Sequence, residues 1–543
     1  MTNFQELLSS IRPGEKVVEP QSSSEELEVG QDDGPTVRKI RGIWWAIVIT
    51  AIISSTFLYS LDNTVMANIR PDIVDSLGHM EMLPWISVSY PLGEVGTCPF
   101  WGGMYSRFDN KWLYFFTLLL FEVGSAIIGS AHSVEVLIFG RVMAGMGGSG
   151  IYLGTVNIIS AMTSQAERAQ NLGFIGVTWS LGTILGPIIG GTFSDSKATW
   201  RWAFYINVCI AAVAAPACLR FVPSIAPDTN KLSTRIKRID IFGASLFAGG
   251  ISTLIMILSF GGAIWPWNSG RMISLYVAST MIWILFALQQ WRSLFTRHRI
   301  FPVELFANWE MCNFFVHTSL SISNTVVTVW TLPLFFQFIY GDSSLRSGLF
   351  VFAVSAAAIV AAGAGGAVFP KYTLYMIWFA VACGCVVIGN ALLTTVSINT
   401  SRASICGYAA IQLFGCGLVV QLPFTVAQVK ISPKHVRPVT SFLVTAQMAG
   451  VALSIGIATT IFVNRAAGDI ARILPDLPRD AVYASLGGAG TPLVDGLPLR
   501  LQREVLAAIA NNIGRVFYLN VASSVLGFLT SFLMKRERLQ LES

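Results

Sequence analysis

The sequence predicts an all-α polytopic membrane protein with fourteen transmembrane helices, from three observations: scarce charge, apolar runs of bilayer length, and an uneven distribution of Lys and Arg. Of 543 residues, 12% are charged and 53% hydrophobic, and the mean hydropathy is +0.61. A soluble domain carries roughly 25% charged residues, so this chain cannot clothe a water-facing surface of its own size. A helix crosses the hydrocarbon core, ~30 Å thick, in about 20 apolar residues. Cut at polar or Pro/Gly-rich breaks, the chain gives six such runs at 43–66, 83–104, 112–131, 134–156, 172–193 and 202–222. Two more follow at 240–262 and 272–291, then six at 312–339, 348–369, 372–394, 404–427, 438–463 and 515–534.

Orientation follows from the basic residues of the short loops, which concentrate on the cytoplasmic side. With a cytoplasmic N-terminus, twenty fall inside: Arg38, Lys39, Arg41, Arg107, Lys111, Arg168, Lys231, Arg235, Lys237, Arg238, Arg292, Arg297, Arg299, Lys371, Lys430, Lys434, Arg437, Lys535, Arg536 and Arg538. Only six fall outside: Arg70, Lys197, Arg201, Arg271, Arg346 and Arg402. Both termini are therefore expected in the cytoplasm, in a multi-pass protein of the cell membrane or, as the alternative, of the vacuolar membrane. Asn399 opens an N-x-S sequon in a loop this topology places outside, a candidate glycosylation site.

The expected organisation is an acidic disordered tail at 1–41, a six-helix half at 42–223, a linker with two extra spans at 224–300, a second six-helix half at 301–534 and a C-tail at 535–543. The tail has no apolar stretch of signal-peptide type and too little apolar surface to offset its ordering entropy. Within the second half, 464–513 is expected as an outer loop. There Leu501, Val505, Ala508 and Ile509 share one face of a helix, either on the membrane surface or packed on the bundle. The eight cysteines sit in or beside apolar runs and read as small hydrophobes, not as a disulfide framework or metal site. No metal, cofactor or nucleic-acid signature is expected, and no catalytic constellation, so the chain reads as a non-enzyme.

Several residues break the apolar pattern in ways that carry function. Gly182, Gly186 and Gly190 recur every fourth residue, giving one helix face where another backbone can approach closely. Pro187 among them removes a helix hydrogen bond, and Gly191 completes the run. Arg141 lies in an apolar span rich in glycine. A guanidinium there costs several kcal/mol unless it faces the interior, so a functional role is its default reading, against a structural tether. Glu94 and Glu122 are acids deep in spans, either paired structural carboxylates or groups that exchange protons. Asp62 sits near the outer end of the first span. The glycines at 145–150 also fit a dinucleotide pattern, but no strand precedes them, so that reading is rejected. Tyr59, Asn63, Asn324, Gln337, Gln421 and Gln447, with Glu94, are candidate substrate contacts for a central cavity between the halves. The alternative for each is an ordinary interhelical hydrogen bond.

These runs carry a family resemblance. Residues 182–191 match the G-x-x-x-G-P-x-x-G-G antiporter motif of drug:proton antiporters in full. The stretch from Gly140 to Gly150 resembles the fourth-helix motif of the major facilitator superfamily, and Leu61 to Thr64 the L-D-x-T motif of its fourteen-helix antiporter group. Leu120 to Ser125, Thr199 to Asn207, Trp267 to Arg271 and Leu332 to Phe338 are similar to segments of its fungal toxin and secondary-metabolite efflux pumps. Two departures stand out. In the loop from Gly102 to Trp112, Ser106 replaces the superfamily aspartate and Asp109 a glycine, though Gly102 and Lys111 remain. In Val208 to Ala212 the usual Pro and glycines are missing.

The resemblance implies a major facilitator fold, two six-helix halves joined by two linker helices. It implies a monomer that exports a small amphipathic organic compound against protons by alternating access. Asp62, Arg141 and Glu122 would couple protons, residues 182–191 would form the antiporter contact, and Gly102 with Lys111 the cytoplasmic gate loop. The rivals are a siderophore-like importer on the same fold and a non-transporting membrane sensor.

Overall fold

The computed structural model describes residues 42–77, 82–194, 196–224, 231–262, 264–296, 299–432, 435–477, 482, 486 and 497–539, so the expected acidic tail lies outside the described residues. The described chain is almost entirely helical. Its helices in order are α1 (Ile43–Leu77), α2 (Leu83–Tyr105), α3 (Asn110–Gly129), α4 (Val134–Met162), α5 (Gln165–Ser194), α6 (Trp202–Phe221), the short α7 (Leu232–Lys237), α8 (Ile241–Phe260) and α9 (Gly270–Arg292). Then come α10 (Trp309–Tyr340), α11 (Ser344–Val368), α12 (Tyr375–Thr394), α13 (Arg402–Val419), α14 (Leu422–Lys430), α15 (Val436–Ile473) and α16 (Leu499–Ser531).

Among the described residues, thirteen stretches are long and apolar enough to cross a membrane, with α13 and α14 counted as one. Helix α2, 23 residues with Pro91 and Pro99 inside it, packs among them on α4, α8 and α15. Counted with α2, the described residues are consistent with the fourteen expected spans. Polar side chains cap the helices where backbone N–H groups would otherwise lack partners. Asp109 accepts from Lys111 N, Ser133 from Val136 N, Asn308 from Glu310 N and Ser401 from Ser404 N.

Two groups of helices form. In the first, α1 packs on α5 and α6, while α4 packs on α2 and α3. In the second, α10 packs on α15 and α16, α12 on α13 and α16, and α11 on α13. The groups meet where α5 lies along α11 and α2 along α15. Helix α8 touches both groups, through α2 and α15, and α9 packs on α8.

Close approach in the first group is made by missing side chains. A Cβ at Gly182 would stand 2.7 Å from Phe57 O, at Gly186 2.8 Å from Leu61 O, and at Gly190 2.8 Å from Val65 O, all on the α1 backbone. Ser60 Oγ of α1 lies 2.8 Å from Thr183 Oγ1 across the same contact.

Two expectations need correction. The span expected as one helix at 404–427 is broken between Val419 and Leu422. Pro423 lacks an N–H and its ring crowds the carbonyl of Val419, four residues earlier; here the helix stops and restarts with Pro423 in the first turn of α14, where no N–H is needed. The outer segment at 464–513 is, where described, mainly the continuation of two spans. Helices α15 and α16, of 38 and 33 residues, are roughly 57 and 50 Å long at 1.5 Å per residue, well beyond the hydrocarbon thickness. Val505 and Ile509 are buried in an apolar cluster with Ala466, Ala467 and Ile470 of α15. That apolar face is therefore packed on the bundle and not laid on a membrane surface. Asn512 Nδ2 donates to Asp469 Oδ2 at 2.8 Å, tying the two extensions together.

The glycine contact makes a quantitative expectation. Gly186→Val forces two backbones apart, an overpacking cost of about 1–3 kcal/mol or more. The thermal midpoint of the purified protein in detergent should fall by several degrees; an unchanged midpoint would mean that α1 and α5 can separate freely.

Candidate functional site

Helix α1 brings polar residues to two neighbouring clusters. The first lies where the helix groups meet. Tyr59 donates a short hydrogen bond to Glu94 of α2, and Asn63 Nδ2 lies 3.4 Å from the other Glu94 oxygen. Tyr59 Oη also touches Met448 Sδ of α15 at 3.1 Å. The Tyr59 ring sits 5.8 Å from that of Tyr152 on α4. Tyr152 in turn donates to Gln447 Oε1 of α15 at 2.9 Å and accepts from Gln421 Nε2, at the α13/α14 break, at 3.1 Å. Gln421 Oε1 is buried without a hydrogen-bond partner. This seam thus runs from Asn63 through Glu94, Tyr59 and Tyr152 to Gln421 and Gln447, and it crosses from one helix group to the other.

The second cluster lies within the first group. Asp62 is fully buried. Its Oδ1 accepts from Asn207 Nδ2 of α6 at 3.2 Å, and its Oδ2 has no hydrogen-bond partner. Asn207 Nδ2 also reaches Ser125 Oγ of α3 at 3.3 Å. Arg141 of α4, 2% exposed, attracts Asp62 electrostatically and stacks over the Tyr90 ring at 5.3 Å, while its Nε and Nη1 make no hydrogen bond. A guanidinium over an aromatic face gains a cation–π attraction that partly offsets its desolvation. Glu122 lies one turn before Ser125 on α3, and both its carboxylate oxygens are buried without partners. Buried polar atoms are nearly always paired in folded proteins, so this concentration of unpaired charged atoms is unusual for a purely structural core.

The glycines of α4 make both clusters possible. A Cβ at Gly148 would come within 2.6 Å of the Tyr59 ring and 2.8 Å of Tyr90 Oη, and one at Gly145 within 3.0 Å of Glu94 N.

Of the expected substrate contacts, Tyr59, Asn63, Glu94, Gln421 and Gln447 come together in the seam, and two do not. Asn324 belongs to a knot of amides inside the second group. It accepts from Asn390 Nδ2 at 2.8 Å and donates to Ser523 Oγ at 3.0 Å, and its carbonyl accepts from Gln412 Nε2 at 3.1 Å. Gln337 lies near the far end of α10 and donates to Ser347 Oγ of α11 at 2.9 Å. The roomy central cavity expected for a cargo is bridged here by direct side-chain contacts, so this conformation has the helix groups closed on each other at the centre. Gly102 faces Ser441 of α15 with no room for a side chain. Lys111 instead points its Nζ toward the Trp112 ring, 5.9 Å from its centre. In the antiporter run, Pro187 and Gly191 are half-buried beside the α1 contact. Asn399 is exposed in the loop between α12 and α13.

Sequence reasoning missed Tyr152, Tyr90, Met448 and Asn207. Tyr152 is eleven residues, three helical turns, beyond Arg141, so helical spacing alone puts the two on one face. Asn207 closes the Thr199 to Asn207 run, which is similar to known pumps. Met448 gives no polar signal at all.

Residues 52–455 match the family model described as Major Facilitator Superfamily. The chain belongs to this superfamily. It is 37% identical over 511 residues to the MFS-type transporter pgmG of Aspergillus terreus, with 92% of this chain and 90% of that protein covered. Similarity to the efflux pump alnA of Emericella nidulans is 36% over 513 residues, covering 93% of each. With the efflux pump patC of Aspergillus clavatus it is 33% over 502 residues, covering 91% of each. Among solved structures, the human organic anion transporter MFSD10 superposes with a TM-score of 0.56 at 14% identity, covering 90% of this chain and 100% of that one. The proton:xylose symporter XylE gives 0.58 at 12% identity, covering 91% and 98%. At that identity these two establish the fold alone. The chain is thus a multi-pass transporter of the superfamily that sits among fungal efflux pumps and metabolite-cluster transporters.

In this superfamily member the seam makes a direct expectation. Tyr152→Phe keeps the ring but removes the hydroxyl that joins α4 to Gln421 and Gln447. Two buried hydrogen bonds, each worth about 1 kcal/mol net, are lost, and the thermal midpoint in detergent should drop accordingly. A midpoint equal to wild type would mean that the two amides pair without the tyrosine.

Proposed function

We propose that this protein exports a small amphipathic organic compound, a fungal toxin or other secondary metabolite, from the cytoplasm in exchange for protons, by alternating access. The observation that carries the reading is Asp62. It is buried on the helix that also lines the seam, with one oxygen held by Asn207 and the other unpartnered beside Arg141. A carboxyl with a vacant oxygen can take up a proton without breaking a hydrogen bond. Glu122, one turn before Ser125 on α3, adds a second acid with buried carboxylate oxygens that feels the charge of Asp62.

The seam supplies the cargo chemistry. Apart from Glu94 it offers tyrosine rings, a thioether and amides, groups that match an amphipathic molecule better than a sugar or a strongly charged ion. Because Tyr59 and Asn63 flank Asp62 on α1, a change of charge at Asp62 and a change of occupancy at the seam act on one helix. Coupling needs only that each ligand bind the two conformations unequally. The Gly182, Gly186 and Gly190 face holds α1 against α5, and α5 also lies along α11 of the other group. That gives α1 a mechanical path between the halves. Names of relatives such as alnA and patC, both called efflux pumps, support the outward direction.

In sealed vesicles of known orientation with an imposed pH gradient, labelled metabolite should move away from the cytoplasmic face. Asp62→Asn should reduce this gradient-driven flux to background with folding unchanged; full flux in that variant would remove Asp62 from the mechanism. The orientation has its own check. Expressed in a fungal host, the wild-type chain should carry a glycan that Asn399→Gln abolishes. A site never modified, even when its loop is lengthened, would argue against placing that loop outside.

A further inference from the structure

The break at Val420 and Gln421 leaves α14, nine residues long, as a separate piece with contacts at both ends. At its start Gln421 donates to Tyr152 in the seam. Near its end Gln428 accepts from Ser160 Oγ of α4 at 3.0 Å and donates to Thr440 Oγ1 of α15 at 2.9 Å, so it closes the two helix groups together at their basic ends. Its last residue, Lys430, is caged. The ammonium pairs with Glu310 at the start of α10 and with Glu537 beyond α16, lies 2.8 Å from Tyr375 Oη and stacks 4.8 Å from the centre of that ring.

Glu537 belongs to a strap that turns back from the end of α16. Met534 and Leu539 are buried and anchor it at either end. Leu539 N–H donates to Thr373 O at 3.3 Å, and Arg538 forms an isolated antiparallel bridge with Leu374. Between the anchors the strap is exposed. Lys535 Nζ lies 3.9 Å from Glu310 Oε2, so acids and bases alternate around the cage. The hydrogen bond from Lys430 holds the Glu537 carboxyl below the usual carboxylate range. Glu537 is 45% exposed against 11% for Lys430, so water can take over the carboxylate on release while Glu310 stays as the ammonium's partner, and the pair with Glu537 contributes little to overall stability. Such a pair can break without unfolding anything.

We propose that the strap of residues 534–539 is a latch on α14. Glu537 and Glu310 fix Lys430, and through it hold Gln428 against Ser160. Release of Glu537 leaves Lys430 held by Glu310 and Tyr375 alone, and so shifts the nine-residue helix toward leaving α4 and opening the basic-end gate. Lys430 is thus a positioning residue, acting on Gln421 and Gln428 and not on the cargo. The inference rests on the alternating-access reading, in which that gate opens in every cycle.

The test places a reporter under the gate, Ser160→Cys in the full chain. Its reaction with a membrane-impermeant maleimide is followed in inside-out vesicles and quantified at that residue by peptide mass spectrometry. Adding Glu537→Gln should raise the labelling rate roughly two- to five-fold, the population shift that an ion pair open to water on its carboxylate side supplies. Arg536→Gln, a charge removed from the exposed part of the same strap, should leave the rate unchanged. Equal rates with and without Glu537→Gln, or an equal rise with Arg536→Gln, would overturn the latch while leaving alternating access intact. A cysteine at 160 that never labels in any variant would overturn the alternating-access reading, and the latch with it.

Discussion

The contact between α1 and α5 is the constraint on which the rest of the structure depends. Lipid offers no hydrophobic drive to bring two helices together, so they associate through close packing and shared polar groups. Here three glycines at helical spacing let α5 press directly on the α1 backbone, with Ser60 and Thr183 bonded across it. Fixed in this way, α1 has one direction left for Tyr59 and Asn63, the seam, and a neighbouring one for Asp62, the interior of its own group. A seam residue and a buried acid are thereby placed within one helical turn.

The two groups bury different polar chemistry, neutral amides in the second and charged side chains in the first. In the second group Asn324, Asn390, Gln412 and Asn520 form a connected amide network across four helices, the kind of interhelical bonding that stabilises membrane bundles, though Asn390 Oδ1 and Gln412 Oε1 stay unpaired within it. In the first group the charged atoms of Asp62, Glu122 and Arg141 are left with unmet hydrogen-bonding capacity. Unmet capacity inside hydrocarbon is costly, and here it is retained on α1, α3 and α4. Three intramembrane charges gathered in the first group are what the proposed exchange would use.

Much of the fold was legible because each span must satisfy its own backbone hydrogen bonds and match the bilayer, which forces long apolar helices. The break before Pro423 had one local cue, the proline itself, but prolines also sit inside the continuous α2, α5, α6 and α10, so the cue does not fix a break. It went unseen because a run of apolar residues reads as continuous whether or not its backbone is. The extension of α15 and α16 past the membrane was hidden for a related reason. Polar residues such as Asp469 and Asn512 look like loop until the partner across the hairpin is known.

Sequence by itself determined the spans, the glycine face at 182–190, the intramembrane charges at Asp62, Glu122 and Arg141, and membership of a family of transporters. The first three follow from local chemistry, the cost of charge in lipid and the size of glycine, which need no neighbours to be evaluated; the family follows from the resemblance of its motifs. Only the tertiary structure decided that Tyr59, Glu94, Tyr152, Gln421 and Gln447 form one seam, that Asn324 and Gln337 do not join it, and that Lys430 meets Glu310 and Glu537. Tyr152 and Gln447 are 295 residues apart. An amide or a hydroxyl carries no mark of which distant helix will face it, and only the packing of whole helices settles that choice.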